Sequence, residues 1–359
     1  MSENLANRPL EITPEIARAI SNDSLNLIIN PTERCNLRCV YCYETFVLKK
    51  MQPKLISGVI TLVKRRAERG LKIFKLDFFG GEPLAAWDVV EKLTSELSAI
   101  CRANGTEMFG GITTNGVLLN RSRVELLAAH NLRAFQVTLD GPQAIHDKRR
   151  ITRNGGGTFS GVWRALEILK TYPHRLDVLI RMHFDPSTLE SQFGDAGFVR
   201  QVVRSFARGD RRFRLHFHAV HRLGGPNDKD IPVLRSYVDE KAAIDRLTAE
   251  AVAASCSPDQ LVQYSTDAPM GESGLTICYA AHANAFIIRS DGRVAKCTAA
   301  FEDGRNTVGK LTESGELLID QSRHLPWIQG LITGDPLALT CPALVYLWRE
   351  TDASPTNAA

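Results

Sequence analysis

The chain has 359 residues, of which 44% are hydrophobic and 23% charged, the proportions of a folded globular protein; collagen, coiled-coil and disordered classes are excluded. Lysine and arginine total 44 against 40 for aspartate and glutamate, a formal +4 spread along the chain, so net charge marks no nucleic-acid partner. The N-terminus has no basic segment leading into an apolar run, and no apolar stretch reaches roughly 18 residues, so neither export nor membrane spanning is expected and a cytoplasmic location is.

From residue 25 to about 220, short β-branched or aromatic runs alternate with segments of helical period. Strands are expected at Leu25–Asn30, Ile73–Phe79, Met108–Thr113, Ala134–Leu139, Asp177–Phe184 and Arg212–Val220. Helices are expected at Leu55–Arg69, Trp87–Ala103, Arg121–His130 and Ser160–Tyr172. These units predict an α/β fold built on a partial (βα)6 TIM-like barrel, since a closed eight-unit barrel takes about 250 residues. Ligands in such folds sit at the carboxyl ends of the strands.

Gly224-Gly225-Pro226-Asn227-Asp228 is a loop signal, and Leu234–Ala254 reads as one long bridging helix. Ala285–Arg289, Ser290-Asp291-Gly292 and Arg293–Ala295 form a hairpin pattern, because Asp-Gly supplies the positive φ of a tight turn. The expected organisation is an extension over 1–24, the barrel over 25–225, a bridge over 226–276, a small cysteine-bearing domain over 277–345 and a tail over 346–359, disordered from Thr351.

Eight cysteines are too few for a secreted disulfide scaffold, and their spacing is what informs. Cys35, Cys39 and Cys42 fall on one loop after the first strand. A structural zinc site wants four ligands, and no fourth Cys or His is near in sequence. A [4Fe–4S] cubane held by three cysteines leaves one iron open.

This CxxxCxxC, with Tyr41 before its last Cys, resembles the signature of the radical S-adenosylmethionine (SAM) superfamily, in which the open iron chelates the methionine part of the cosubstrate. Three more motifs follow in the order of that superfamily. They are Gly80-Gly81-Glu82-Pro83 after the second strand, Thr113-Thr114-Asn115-Gly116 after the third, and Thr138-Leu139-Asp140-Gly141-Pro142 with His146-Asp147 after the fourth. The resemblance covers residues 25 to 225. It implies cosubstrate contacts from Tyr41, Gly80, Gly81, Glu82, Pro83, Thr114, Asn115, Thr138 and Asp140, with Arg181 meeting the carboxylate. Glu82 is expected to hold the methionine ammonium.

Cys278 and Cys297 flank the Asp291-Gly292 turn at a spacing that resembles the opening of SPASM and twitch domains, which carry auxiliary iron–sulfur clusters. A complete SPASM domain continues with several more cysteines, whereas here only Cys341 follows and Leu344 stands where another would be expected. The resemblance therefore implies one auxiliary cluster, on Cys278, Cys297 and Cys341, with a fourth ligand that is Cys256, another group or absent. A single zinc ion or a remnant hairpin are the alternatives, and Cys101 reads as a buried thiol.

The resemblance implies reductive cleavage of SAM to a 5′-deoxyadenosyl radical, hydrogen abstraction from a ribosomally made precursor peptide, and an oxidative carbon–carbon or thioether cross-link. The runner-up is a sulfatase-maturase-like enzyme that forms formylglycine, although those resemble full seven-cysteine SPASM domains. A small-molecule substrate or a non-catalytic zinc or iron–sulfur scaffold also stay open. Base candidates near strand ends are His183, Asp185 and His218, with His216 and His221 nearby. Implied partners are the peptide and an electron donor such as flavodoxin or ferredoxin. With only 34 residues before Cys35, the expectation is that the leader is read by the barrel, the bridge helix or a separate protein.

Overall fold

The computed structural model describes residues 12–255 and 276–348. In chain order its elements are α1 (Pro14–Ile20), β1 (Ser24–Ile29), β2 (Leu37–Cys39), α2 (Pro53–Glu68), β3 (Ile73–Phe78), α3 (Trp87–Ala103), β4 (Glu107–Thr114), α4 (Arg121–Ala129) and β5 (Leu132–Leu139). Then come α5 (Gln143–Arg149), β6 (Arg150–Thr152), α6 (Phe159–Lys170), β7 (Asp177–Phe184), α7 (Phe198–Val202), β8 (Phe213–Ala219) and α8 (Tyr237–Ala254). The C-terminal part holds β9 (Ala285–Ile288), β10 (Arg293–Ala295), β11 (Thr307–Leu311), β12 (Leu317–Ile319), α9 (Gln321–Ile328), α10 (Gly330–Thr333) and α11 (Pro336–Thr340).

Six parallel strands, β1-β3-β4-β5-β7-β8, make the barrel wall and match the six expected from sequence. Their alternation decides what faces where. In β7 the residues Val178, Ile180, Met182 and Phe184 are buried, while Leu179, Arg181 and His183 take the other, half-buried face. That second face carries Gln136 and Thr138 of β5 and His216 and His218 of β8 at matching register. Helices cover the apolar face: α2 buries Leu55, Ile56, Val59, Leu62 and Val63, and α3 buries Val89, Val90, Leu93 and Leu97. The bridge helix forms as α8 and packs on α7 and β8 through Ala243, Ile244, Leu247 and Ala251. No helix among the described residues is long and apolar enough to cross a membrane.

Two features differ from the sequence expectation. The hairpin β9–β10 forms as expected, but β9 also pairs in parallel with β1, so β9 to β12 prolong the barrel wall into one ten-stranded sheet. Ala285–Ile288 is apolar at all four positions and buried at all four, which is how a strand covered on both faces reads. The extension before residue 25 contributes α1, whose Ile16 and Ala19 pack with Ile277, Ala281, Leu331 and Leu339 near the other end of the chain. Leu347, inside the expected tail, is fully buried; the tail from residue 349 lies outside the described residues.

Candidate active site

The cysteine loop lies at the carboxyl end of β1 and is clamped from two sides. On one side β2 pairs antiparallel with β6, joining Leu37–Cys39 to Arg150–Thr152, and Val40 N donates to Arg149 O at 2.9 Å. On the other, the Gly80-Gly81 turn after β3 runs against the chain leading into Cys35. A Cβ on Gly81 would stand 2.6 Å from Glu33 O, and Gly80 has φ +113°, so the close approach requires glycine at both positions. Within the loop, Leu37 N donates to Cys35 Sγ at 3.3 Å and Arg38 Nη1 to Cys35 O at 3.0 Å.

Glu82 straps this turn to the next strand. Its fully buried carboxylate accepts from Leu84 N at 2.9 Å, Thr114 Oγ1 at 2.7 Å and Asn115 N at 2.7 Å. Asn115 reaches on, its Nδ2 donating to Asn36 Oδ1 at 2.8 Å with Cys35 Sγ at 3.7 Å. Burial pushes the Glu82 carboxyl up and those three donors pull it down.

The fourth motif forms a charged hub. Tyr41 OH donates to Asp140 Oδ1 at 2.9 Å and accepts from Arg150 Nη1 at 2.7 Å. Arg149 spans Asp140 Oδ2 at 3.3 Å and Asp185 Oδ2 at 2.6 Å. His146 Nδ1 accepts from Asp140 N at 3.3 Å, and Asp147 Oδ1 accepts from Thr158 N and Phe159 N, capping α6. His183 places Nδ1 3.1 Å from Tyr41 OH, and its ring lies 5.4 Å from that of His218.

The thiols are held protonated by their surroundings. Burial, with Glu82 second, pushes Cys35 up to about 12; burial likewise raises Cys39, partly countered by Arg150, and Cys42, with Cys39 adding to it. Bound metal reverses that balance, because coordination favours the thiolate.

Residues 29–192 match the family described as Radical SAM superfamily. Among similar proteins is a cysteine-type anaerobic sulfatase-maturating enzyme of Clostridium novyi strain NT, 24% identical over 212 residues, 57% of this chain and 54% of that relative. The chain thus spans about half the length of that curated relative. Two solved structures share the fold. One is described as native anSMEcpe with bound AdoMet and Cp18Cys peptide, with TM-score 0.62 and 20% identity over 84% of this chain and 80% of that one. The other is Streptococcus suis SuiB bound to precursor peptide SuiA, with TM-score 0.56 and 16% identity over 88% of this chain and 68% of that one.

Within residues 29–192, Tyr41 lies in the thiol loop, Gly80, Gly81, Glu82 and Pro83 follow β3, Thr114 and Asn115 stand at the end of β4, Thr138 and Asp140 at the end of β5, and Arg181 on the face of β7 that it shares with His183. Unpaired buried atoms there fit a charged amino-acid ligand. Arg149 Nη2, Arg150 Nε and Arg181 Nε are buried donors with no partner among the described residues, and Asn30 Oδ1, beside Gly80, is an acceptor with none. Glu82 also ties β3 to β4, its oxygens accepting from three donors within the chain. Among the base candidates, Asp185 Oδ1 accepts from Ser187 N at 2.8 Å and Thr188 N at 3.1 Å, and Oδ2 from Arg149 Nη1 at 2.6 Å. His221 pairs with Glu240 Oε1 at 3.5 Å.

The second cysteine set is drawn together by backbone and tyrosine contacts. Cys278 N donates to Leu339 O at 2.9 Å, two residues before Cys341, and Thr298 N, beside Cys297, donates to Tyr279 OH at 2.9 Å. Cys256 lies outside the described residues. Tyr43, next to Cys42, donates to Thr298 O at 3.0 Å, so the two cysteine loops touch. Among the described residues no three His, Cys, Asp or Glu side chains stand at single-ion distances. Sequence reasoning missed Asn30, Asn36, Tyr43, Arg149 and Arg150; the two arginines carried a signal, following the His-Asp pair at 146–147 by two and three positions.

Proposed function

We propose that this chain is a radical SAM enzyme that modifies a peptide, with Cys35, Cys39 and Cys42 holding a [4Fe–4S] cluster and SAM bound beside it. The observation that carries this reading is that three features stand at the carboxyl ends of neighbouring strands: the thiol loop after β1, the Glu82 strap between β3 and β4, and the Tyr41–Asp140–Arg150 hub after β5. Bound there, the two groups supply a carbon radical able to take hydrogen from an unactivated C–H bond. The chain's residues do the rest. Asn30 Oδ1 and the Gly80 turn receive the methionine ammonium, Arg181 its carboxylate, and Asp140 with Thr138 the hydroxyls of the nucleoside. The buried hub excludes water and fixes these groups before substrate arrives.

Cys278, Cys297 and Cys341 would hold one auxiliary iron–sulfur cluster, a place for the electron that an oxidative modification releases. A peptide substrate is supported by the bound peptides named for both structural neighbours. The product is a carbon–carbon or thioether cross-link; formylglycine formation is the second reading, favoured by the curated relative's name. The electron donor is a flavodoxin or ferredoxin, and the leader is bound by the barrel surface, α8 or a separate protein.

Anaerobic reconstitution tests this directly. About seven to eight iron atoms per chain and methionine release from SAM under reduction are expected. The triple Cys35→Ala, Cys39→Ala, Cys42→Ala variant should lose cleavage. Stoichiometric zinc without cleavage would replace the enzyme by a scaffold. Mass spectrometry of a co-expressed peptide then separates the products: loss of two hydrogens for a cross-link, conversion of Cys or Ser to an aldehyde for formylglycine.

A further inference from the structure

The hydroxyl of Tyr41 sits between three partners, and counting its hydrogen-bonding capacity fixes a proton on a neighbour. A phenol has one proton to give and two lone pairs to receive. The proton goes to Asp140 Oδ1 at 2.9 Å; turned elsewhere, it would leave two oxygens at that distance with no hydrogen between them. Arg150 Nη1 donates into one lone pair at 2.7 Å. The third contact, His183 Nδ1 at 3.1 Å, is then a hydrogen bond only when Nδ1 carries hydrogen. Burial and the Arg181 and Arg150 guanidinium groups hold the His183 pKa well below the usual range, so the ring is neutral. In a neutral ring protonated at Nδ1, Nε2 is a bare lone pair.

Position suits that lone pair to a task. His183 follows Arg181 by two residues on the same face of β7, level with His218 of β8, and its side chain is 15% exposed. Nε2 makes no hydrogen bond among the described residues and is not among the buried unpaired atoms. The alternatives are less well placed: both oxygens of Asp185 are engaged, and His218 Nδ1 is buried with no partner to set its tautomer.

Resting on the peptide-modifying reading, we propose that Tyr41, fixed by Asp140 and Arg150, sets the tautomer of His183 so that Nε2 accepts the proton released by the substrate side chain. In that step the substrate X–H bond breaks heterolytically, its electron pair stays on the substrate atom, and an N–H bond forms at Nε2. The imidazolium charge is shared through Tyr41 with the Asp140 carboxylate. Tyr41 is a positioning residue and His183 the catalytic one.

Nitrogen-15 NMR of the cofactor-free chain with labelled histidines reads the tautomer without any activity. One ring, identified by its absence from His183→Gln, should show a protonated Nδ1 and an unprotonated Nε2. In Tyr41→Phe that ring should shift to the other tautomer or an average of both. In the reconstituted enzyme with a deuterated peptide, both variants should lower product formed per 5′-deoxyadenosine by about a hundredfold. An Nε2-protonated His183 in the native chain overturns the proposal, as does a Tyr41→Phe variant with native tautomer and native product ratio. If Tyr41→Phe does not fold, the native tautomer and the His183→Gln ratio decide. Native enzyme that forms no 5′-deoxyadenosine removes the radical reading, and the proposal with it, even where the tautomer is as expected.

Discussion

Glu82 has no accessible surface and three donors aimed at its carboxylate, so its removal exposes a deficit rather than a hole. Glu82→Ala leaves Leu84 N, Thr114 Oγ1 and Asn115 N buried and unpaired, at about 1–3 kcal/mol each. Denaturant unfolding of the cofactor-free chain should show a loss of several kcal/mol, and an unchanged midpoint would deny the strap. His146 offers a test in pH. Its Nδ1 accepts from Asp140 N, and Nε2 faces Thr158 Oγ1 at 3.1 Å, whose proton goes to Arg150 O. Burial, then Arg150, lowers its pKa from 6.5 to about 4. The folded chain therefore refuses a proton that the unfolded chain accepts. The stability this ring contributes is complete above pH 6.5 and is lost as pH falls toward 4, by about 3 kcal/mol. Measured against His146→Asn, the native advantage should narrow by that amount between pH 7 and 4.

At the scale of elements, the cysteine loop has little regular structure of its own and borrows its shape. The β2–β6 pairing fixes it to the segment after the fourth motif, and the glycine turn after β3 fits beneath it. Gly81→Ala would force a methyl to 2.6 Å from Glu33 O and 2.7 Å from Arg34 O, both backbone atoms that cannot rotate away. The expected result is a chain with native far-ultraviolet circular dichroism and strongly reduced iron uptake; full iron loading would show that the loop tolerates displacement. Elements with strong periodicity were legible in the sequence. All six barrel strands and the helices α2, α3, α4 and α6 fall within a few residues of their expected places, because an apolar face under helices imposes a period that no other structure satisfies. The short β2, α5 and β6 were not expected: each has seven residues or fewer, too short for a period, and exists because a neighbour supplies its partners.

For the whole molecule, the question is why two cysteine sets far apart in sequence belong to one unit. The sheet is continuous from β12 to β8, and a buried ion pair crosses the join. Arg289, at the end of β9, donates to Glu33 Oε1 at 2.9 Å and Oε2 at 2.6 Å and to Phe301 O at 3.0 Å, with both partners 3% exposed or less. Glu33 lies two residues before Cys35, so the hairpin anchors the first cysteine loop. Removing one member of such a pair leaves an uncompensated charge, at about 3–5 kcal/mol. Arg289→Met should lower the unfolding free energy by that order and weaken iron retention at Cys35, Cys39 and Cys42, and Glu33→Gln added to it should restore part of the stability. A double variant no better than the single one would deny the coupling.

The sequence by itself determined the barrel wall, the placing of each motif after its strand and the gathering of Cys35, Cys39 and Cys42 on one loop after β1, because strand alternation, helical period and residue spacing are local properties carried by adjacent residues. Only the tertiary structure decided that Glu82 serves as a strap, that Arg149 and Arg150 complete the hub with Tyr41, and that the C-terminal hairpin joins the barrel sheet beside the first loop. Those facts depend on hydrogen-bond partners brought together from distant positions, and the residues flanking a carboxylate, a guanidinium or an apolar edge strand do not reveal which remote group will satisfy it.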